Sequence, residues 1–163
     1  MATGRTLNKY VKVQIEDSGG VMRDIPVSSI AGIGIVYDKV DVTALQDAIK
    51  KVFSGQGVVS IPISGPFDNT AATAASGTGA RPALSGSHTV LSAINGLNTA
   101  RTFAVYIGIQ ADWSTGDPVF GAVDGFIVTD YSSPDGQTYT ASIEVAGNAV
   151  NVPAWVTSAL AAS

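Results

Sequence analysis

The stretch from Val119 to Val145, VFGAVDGFIVTDYSSPDGQTYTASIEV, decides the fold class. Val119–Tyr131 and Gln137–Val145 are dominated by β-branched and aromatic residues and read as strands. Between them Ser132–Gly136, SSPDG, joins a proline to an Asp-Gly pair, the chemistry of a tight hairpin turn. Thr102–Ile109 (TFAVYIGI) is a further strand, separated from the hairpin by the turn residues of Asp112–Pro118. The closing NAVNVPAWVTSALAAS, small and apolar without turn chemistry, supplies a last strand and then a frayed tail over 156–163.

The N-terminal third continues the pattern. Tyr10–Glu16 (YVKVQIE) alternates strictly, with Val11, Val13 and Ile15 on one side and Tyr10, Lys12, Gln14 and Glu16 on the other, as in a half-buried strand. Asp17-Ser18-Gly19-Gly20 is a turn that lets Val21–Val27 return antiparallel. Ser28–Tyr37, interrupted by Gly32 and Gly34, reads as a third strand or a bend. Val58–Ile63 (VVSIPI) alternates again, and Pro62 marks it as an edge strand. His88–Ile94 forms a short helix capped by Ser87 or Ser85.

The spacing also predicts a longer helix over Asp41–Phe53. Leu45, Ala48, Ile49 and Val52 fall on one face, Thr43 and Gln46 make a capping box, Asp47 and Lys50-Lys51 suit the macrodipole, and Gly55 and Gly57 end it. The sum is a mainly β fold of α+β type: an antiparallel sandwich or barrel with one flanking helix, as a single domain over 1–163.

Asn69–Ser87, NTAATAASGTGARPALSGS, fits neither element type. Nineteen residues with one charge and few large apolar side chains are too long for an ordinary connection and too small-sided for a core. Ala, Thr, Ser and Gly lose little rotamer entropy when immobilised, so the segment reads as an assembly loop that orders against another molecule.

Composition agrees with assembly. The chain is 45% hydrophobic and only 13% charged, against about 25% in typical soluble domains. A protein covered by copies of itself needs fewer charges. The net charge of −4 is unevenly placed: residues 1–51 hold seven of nine bases against six acids, whereas 52–163 hold Arg81 and Arg101 against seven acids. No basic patch for nucleic acid is present. The absence of cysteine excludes disulfides and thiolate metal sites. MATGRTLNKY lacks the apolar run of a signal peptide, and no window matches a membrane span, so synthesis in the cytoplasm is expected.

Chemistry finds little support. His88 is the single histidine, and no nucleophile elbow surrounds Ser85 or Ser87. Asp38/Asp41 and Asp112/Asp117 sit where turns and caps favour aspartate, and no calcium-loop spacing or phosphate-binding glycine motif occurs. No catalytic, cofactor-binding or metal site is expected. Trp113, Tyr131 and Trp155 leave open a glycan-binding β-sandwich module, since rim aromatics stack on sugars as well as anchoring interfaces.

Several runs together, DKVDVTALQDAIKKVFSGQG (38–57), VSIPISGPFDNTA (59–71), SGSHTVLSAI (85–94), DGFIVTDYSSPDGQTYTASIEVAG (124–147) and VPAW (152–155), resemble the major tail tube protein of long-tailed bacteriophages. The resemblance implies a structural virion protein, not an enzyme, that assembles in the host cytoplasm as stacked hexameric rings. Other phage tail proteins would be its partners, and DNA would pass through an acidic lumen without specific binding. It gives the 69–87 loop and an N-terminal arm, 1–9, the task of reaching adjacent subunits. Pro66, Phe67, Arg81, Pro82 and Leu84 then become candidate contacts between subunits or rings. Asp124 and Asp130 share a strand face, provided no bulge intervenes, and are candidates for the lumen. The likeness spans the tube domain alone, so the decorating role of an additional immunoglobulin-like domain is not expected. A compact capsid decoration protein is the alternative within the same structural class.

Overall fold

The computed structural model describes residues 8–71 and 85–161. After a single 3-10 turn at Asn8–Tyr10, ten strands and one helix follow: β1 (Val11–Glu16), β2 (Met22–Ile25), β3 (Ser29–Ile30), β4 (Val36–Asp41), β5 (Val52–Val58), β6 (Ser60–Pro66), α1 (Ser87–Ile94), β7 (Arg101–Ile107), β8 (Val119–Ser132), β9 (Thr138–Val145) and β10 (Ala154–Val156). The fold is mainly β, as expected from the sequence.

Eight strands form one antiparallel sheet in the order β2-β1-β7-β8-β9-β6-β3, with β10 beside the first residues of β8. The outermost strands, β2 and β3, are joined by only Pro26–Ser28. The sheet must therefore curl until its two ends meet, giving an open barrel. Tyr139 of β9, fully buried, donates its hydroxyl to the Pro26 carbonyl at 2.9 Å and ties this link to the body.

Alternation fills the inside. Val13 and Ile15 of β1, Ile61 and Ile63 of β6, and Phe103, Phe120, Phe126 and Ile143 meet Val90, Leu91 and Ile94 of α1. The Phe103 and Phe126 rings stand edge-on at 5.3 Å. Helix α1 is where the sequence puts it, but its N-cap is Gly86 and no side chain caps it. Ser87 bonds to the strand end instead.

The other side of β1 is covered too, contrary to the half-buried reading. Gln14 and Glu16 are buried, and the Glu16 carboxylate accepts the Thr102 N–H at 3.0 Å. Over the adjoining outer face of β7 and β8 lies the C-terminal segment, where Leu160 and Val156 pack on Tyr106 and Val119. Pro62 marks a strand one place in from the edge: β6 lies between β9 and the two-residue β3. Its carbonyl accepts the Ala31 N–H, so the position without an N–H faces the short β3 side, where little pairing is lost.

The helix predicted over Asp41–Phe53 does not form. Those residues belong to a two-stranded antiparallel ribbon, β4 with β5, separate from the main sheet. Turn chemistry overrides the helical spacing. The Asp41 carboxylate accepts the Thr43 N–H, and the Asp47 carboxylate accepts the Ala44 N–H. Thr43 Oγ1 accepts the Lys51 N–H at 2.8 Å and donates to the Lys51 carbonyl, so the residue read as a helix cap cross-links the two arms of a hairpin. Asp47 and Lys51 do pair at 3.1 Å, but within the turn. Gly57, read as a helix stop, lies under Tyr37: a Cβ there would come within 2.9 Å of the ring and 2.8 Å of Ile35.

Candidate assembly surfaces

One outer face of the barrel is bare. Along β6 the alternation that buries Ile61 and Ile63 turns Ser60, Pro62 and Ser64 outward, and along β9 it turns Thr138, Thr140, Ser142 and Glu144 outward. The register aligns them in rows: Ser60 beside Glu144, Pro62 beside Ser142 and Asp130, Ser64 beside Thr140 and Ser132. Ser29 of β3 continues the last row. Ser132 and Thr140 hydroxyls lie 3.3 Å apart, and the Thr129 hydroxyl donates to the Glu144 carboxylate.

The result is a sheet surface of short hydroxyls with two carboxylates. None of β3, β6, β8 or β9 contains a lysine or arginine. Such a face offers phosphates no cation and repels them, while its hydroxyls exchange hydrogen bonds freely with water.

Of the two acids predicted for a lumen, Asp130 stands on this face and is exposed. Asp124 is held differently. Its φ is +49°, its N–H donates to Thr102 Oγ1 at 3.2 Å, and its carbonyl accepts the Val150 N–H. Two register shifts interrupt β8, one between its pairings at Ala122 and Phe126 and one between Val128 and Asp130. Bulges therefore do intervene, and simple alternation does not relate the two residues. Glu144, which sequence reasoning passed over, shares the face with Asp130 through its pairing with Ser60; the strict alternation of β9 was the available signal.

The foot of the 69–87 loop is tightly fastened. Ser87 is fully buried; its hydroxyl donates to the Pro66 carbonyl at 2.8 Å and accepts the Asp68 N–H at 3.2 Å. The Gly86 N–H donates to the Thr70 carbonyl and the His88 N–H to the Asp68 carbonyl. The Thr70 hydroxyl and N–H both bond the Asp68 carboxylate and hold it below the usual carboxylate range. Phe67 stacks on His88 at 4.7 Å, and His88 Nδ1 lies 2.9 Å from the Tyr131 hydroxyl. Pro66 and Phe67 are thus at the root of the loop, with part of their surface open. Arg81, Pro82 and Leu84, like most of the loop and the N-terminal arm, lie outside the described residues.

The remaining candidates are occupied by local structure. Trp113 Nε1 donates to the Asp117 and Pro118 carbonyls, and its ring stands edge-on to Tyr106 at 5.0 Å. Asp117, nearly fully buried, closes the same turn by accepting the Ser114 N–H. Trp155 packs on Phe120 at 5.1 Å with half its surface exposed. The described residues contain no group of three acids or histidines placed to hold a metal.

No protein-family model and no curated protein matches the sequence. Solved structures do match the fold. A chain of the anti-feeding prophage baseplate superposes with a TM-score of 0.57 at 9% identity, over 96% of this chain and 97% of that one. A chain from the sheath/tube terminator of an extracellular contractile injection system gives 0.54 at 12% identity, over 96% and 99%. One from the tube-terminating cap of the anti-feeding prophage gives 0.54 at 11%, over 96% and 94%. At these identities the shared property is the fold.

Proposed function

We propose that this chain is a structural subunit of a phage-like tail, self-assembling as stacked rings into a tube whose lumen is lined by the hydroxyl and carboxylate face of β3, β6, β8 and β9. The observation that carries the reading is that face: an ordered, solvent-exposed sheet surface without a single cation, on a fold shared with components of tail-like injection machines. The inside of the barrel is filled by α1, and the outer face of β7 and β8 is covered by the C-terminal segment.

A lumen of this chemistry guides DNA by not binding it. Asp130 and Glu144 from six copies would place roughly a dozen carboxylates around each ring, and their field extends about 8 Å at physiological salt. Hydroxyls between them keep the wall wetted without offering a phosphate a partner. The chain has no catalytic step to perform in this role.

The likeness to terminator and cap chains supports a second form of the same reading, in which one ring closes a tube instead of repeating along it. Negative-stain electron microscopy of the purified protein over a concentration series, with light scattering on the same samples, separates the outcomes. Hollow filaments that lengthen with concentration support the repeating tube, and discrete rings support the terminal one. Monomers at every concentration contradict both.

A further inference from the structure

Among the described residues, the β4–β5 ribbon carries the densest exposed apolar surface. Nine of the fifteen exposed large apolar side chains among the described residues lie between Val36 and Val58. Cross-strand pairing sorts them: Val36 lies opposite Val58 and Val40 opposite Phe53 on one side, whereas Tyr37, Lys39 and Asp41 alternate onto the other. At the tip, Leu45 is fully exposed and Ile49 is 77% exposed. At roughly 100 Å² each, the Val36/Val58 and Val40/Phe53 pairs with Leu45 and Ile49 of the tip present on the order of 600 Å² on one side, at the top of the range for an ordinary monomer's largest patch and about three-quarters of the ~800 Å² per partner of a stable complex. A lone two-stranded ribbon is also marginal in water, so a covering partner would stabilise it.

Charge identifies the kind of partner. Residues 36–58 hold Lys39, Lys50 and Lys51 against Asp38, Asp41 and Asp47, a net of zero, which suits neither nucleic acid nor an anionic membrane. A matching surface exists on the same chain. Between the root of the ribbon, at Tyr37, Gly57 and Val58, and Val145, Val152 and Pro153 runs a groove with Glu144 at its wall. Val145 and Val152 of its lining are 39% and 82% exposed, and Val150, next in sequence to the lining residues Ala149 and Asn151, is 74% exposed.

We infer that the β4–β5 ribbon docks on a second copy of this chain, laying the Val40/Phe53 side and the Leu45/Ile49 tip against that copy's Val145–Pro153 groove. Val40, Phe53, Leu45 and Ile49 are not among the residues that line the groove, so the contact joins two different surfaces head-to-tail and repeats from copy to copy, closing a ring where the rotation allows. This contact rests on the assembly proposed above and names the surface that makes it.

The chain has no cysteine, so the contact is directly testable by cross-linking. The double variant Leu45→Cys/Val150→Cys is treated with a short bismaleimide, beside each single variant, and the bands are read on a denaturing gel. Val40→Ser/Phe53→Ser is compared with the unmodified protein by sedimentation, circular dichroism confirming that both are folded. A ladder unique to the double variant, with a tenfold or greater rise in the concentration for half-association of Val40→Ser/Phe53→Ser, is expected. A ladder without tubes or rings in the microscope upholds the ribbon contact and refutes the tube. Tubes without a ladder, formed equally well by Val40→Ser/Phe53→Ser, overturn the ribbon contact and leave the tube standing. Monomers with no ladder overturn both.

Discussion

Replacing Ser87 with alanine tests how the foot of the long loop is held. The hydroxyl is fully buried and makes two hydrogen bonds, one to the Pro66 carbonyl at 2.8 Å and one from the Asp68 N–H at 3.2 Å. Alanine removes both and leaves the Asp68 amide without its acceptor. The Asp68 amide is only partly buried, so leaving it unsatisfied costs about 1–2 kcal/mol, and the net loss of the second bond costs about 1 kcal/mol, so Ser87→Ala is expected to destabilise by about 2–3 kcal/mol. For a chain of this size that lowers Tm by roughly 5–10 °C, measured by calorimetry, with an unchanged urea m-value. Threonine, which keeps the hydroxyl, is expected to recover part of the loss. A Tm for Ser87→Ala within about 1 °C of the unmodified protein would refute the claim that this serine fastens the loop.

Gly121→Ala puts a Cβ within 2.1 Å of the Phe103 carbonyl oxygen across the β7–β8 pair, a backbone clash that no rotamer relieves; a loss of about 1–3 kcal/mol in urea denaturation is expected. The pH profile of Asp17 follows from its environment. Burial alone would raise its carboxyl, but the bonds from Arg23, Val21 and Gly19 and the Arg23 charge hold it below its ordinary 3.8. The folded state therefore binds this proton less readily than the unfolded one, and the stabilisation is complete above the ordinary value and lost as pH falls through the depressed one. The gap in Tm between the unmodified protein and Asp17→Asn is expected to be constant near neutrality and to shrink below pH 3.8. Asp130→Lys/Glu144→Lys reverses the charge of the bare face, and assembled particles of it are expected to retain short duplex DNA in co-sedimentation at low salt and release it as salt rises. Equal retention by both proteins would show that DNA does not meet this face.

Strand periodicity made most of the barrel legible, because side chains of β1, β6 and β9 that face the core are apolar at every second place. The 36–58 segment misled because Leu45, Ala48, Ile49 and Val52 satisfy a helical spacing while Thr43, Asp41 and Asp47 bond the backbone of a turn. Spacing registers a face but not whether anything covers it, and here Leu45 and Ile49 are uncovered within the chain. Val36, Val40, Val52 and Val58 with Gly55 and Gly57 were the competing signal for a ribbon. The bare acidic face was half visible: Asp130 was marked, but the bulges that separate it from Asp124 depend on pairing partners in β7 and β9, which one strand's sequence does not display. The closing of the barrel by the Pro26–Ser28 link is likewise a tertiary fact.

The most direct test of the central claim is an image reconstruction of the assembled protein by electron cryomicroscopy, at a resolution that places strands. A hollow tube or ring with Asp130, Glu144 and the serine and threonine rows of β6 and β9 facing the lumen is the predicted result. A lumen lined by the C-terminal segment or by the lysines of the β4–β5 ribbon, with the hydroxyl and carboxylate face turned outward, would contradict it.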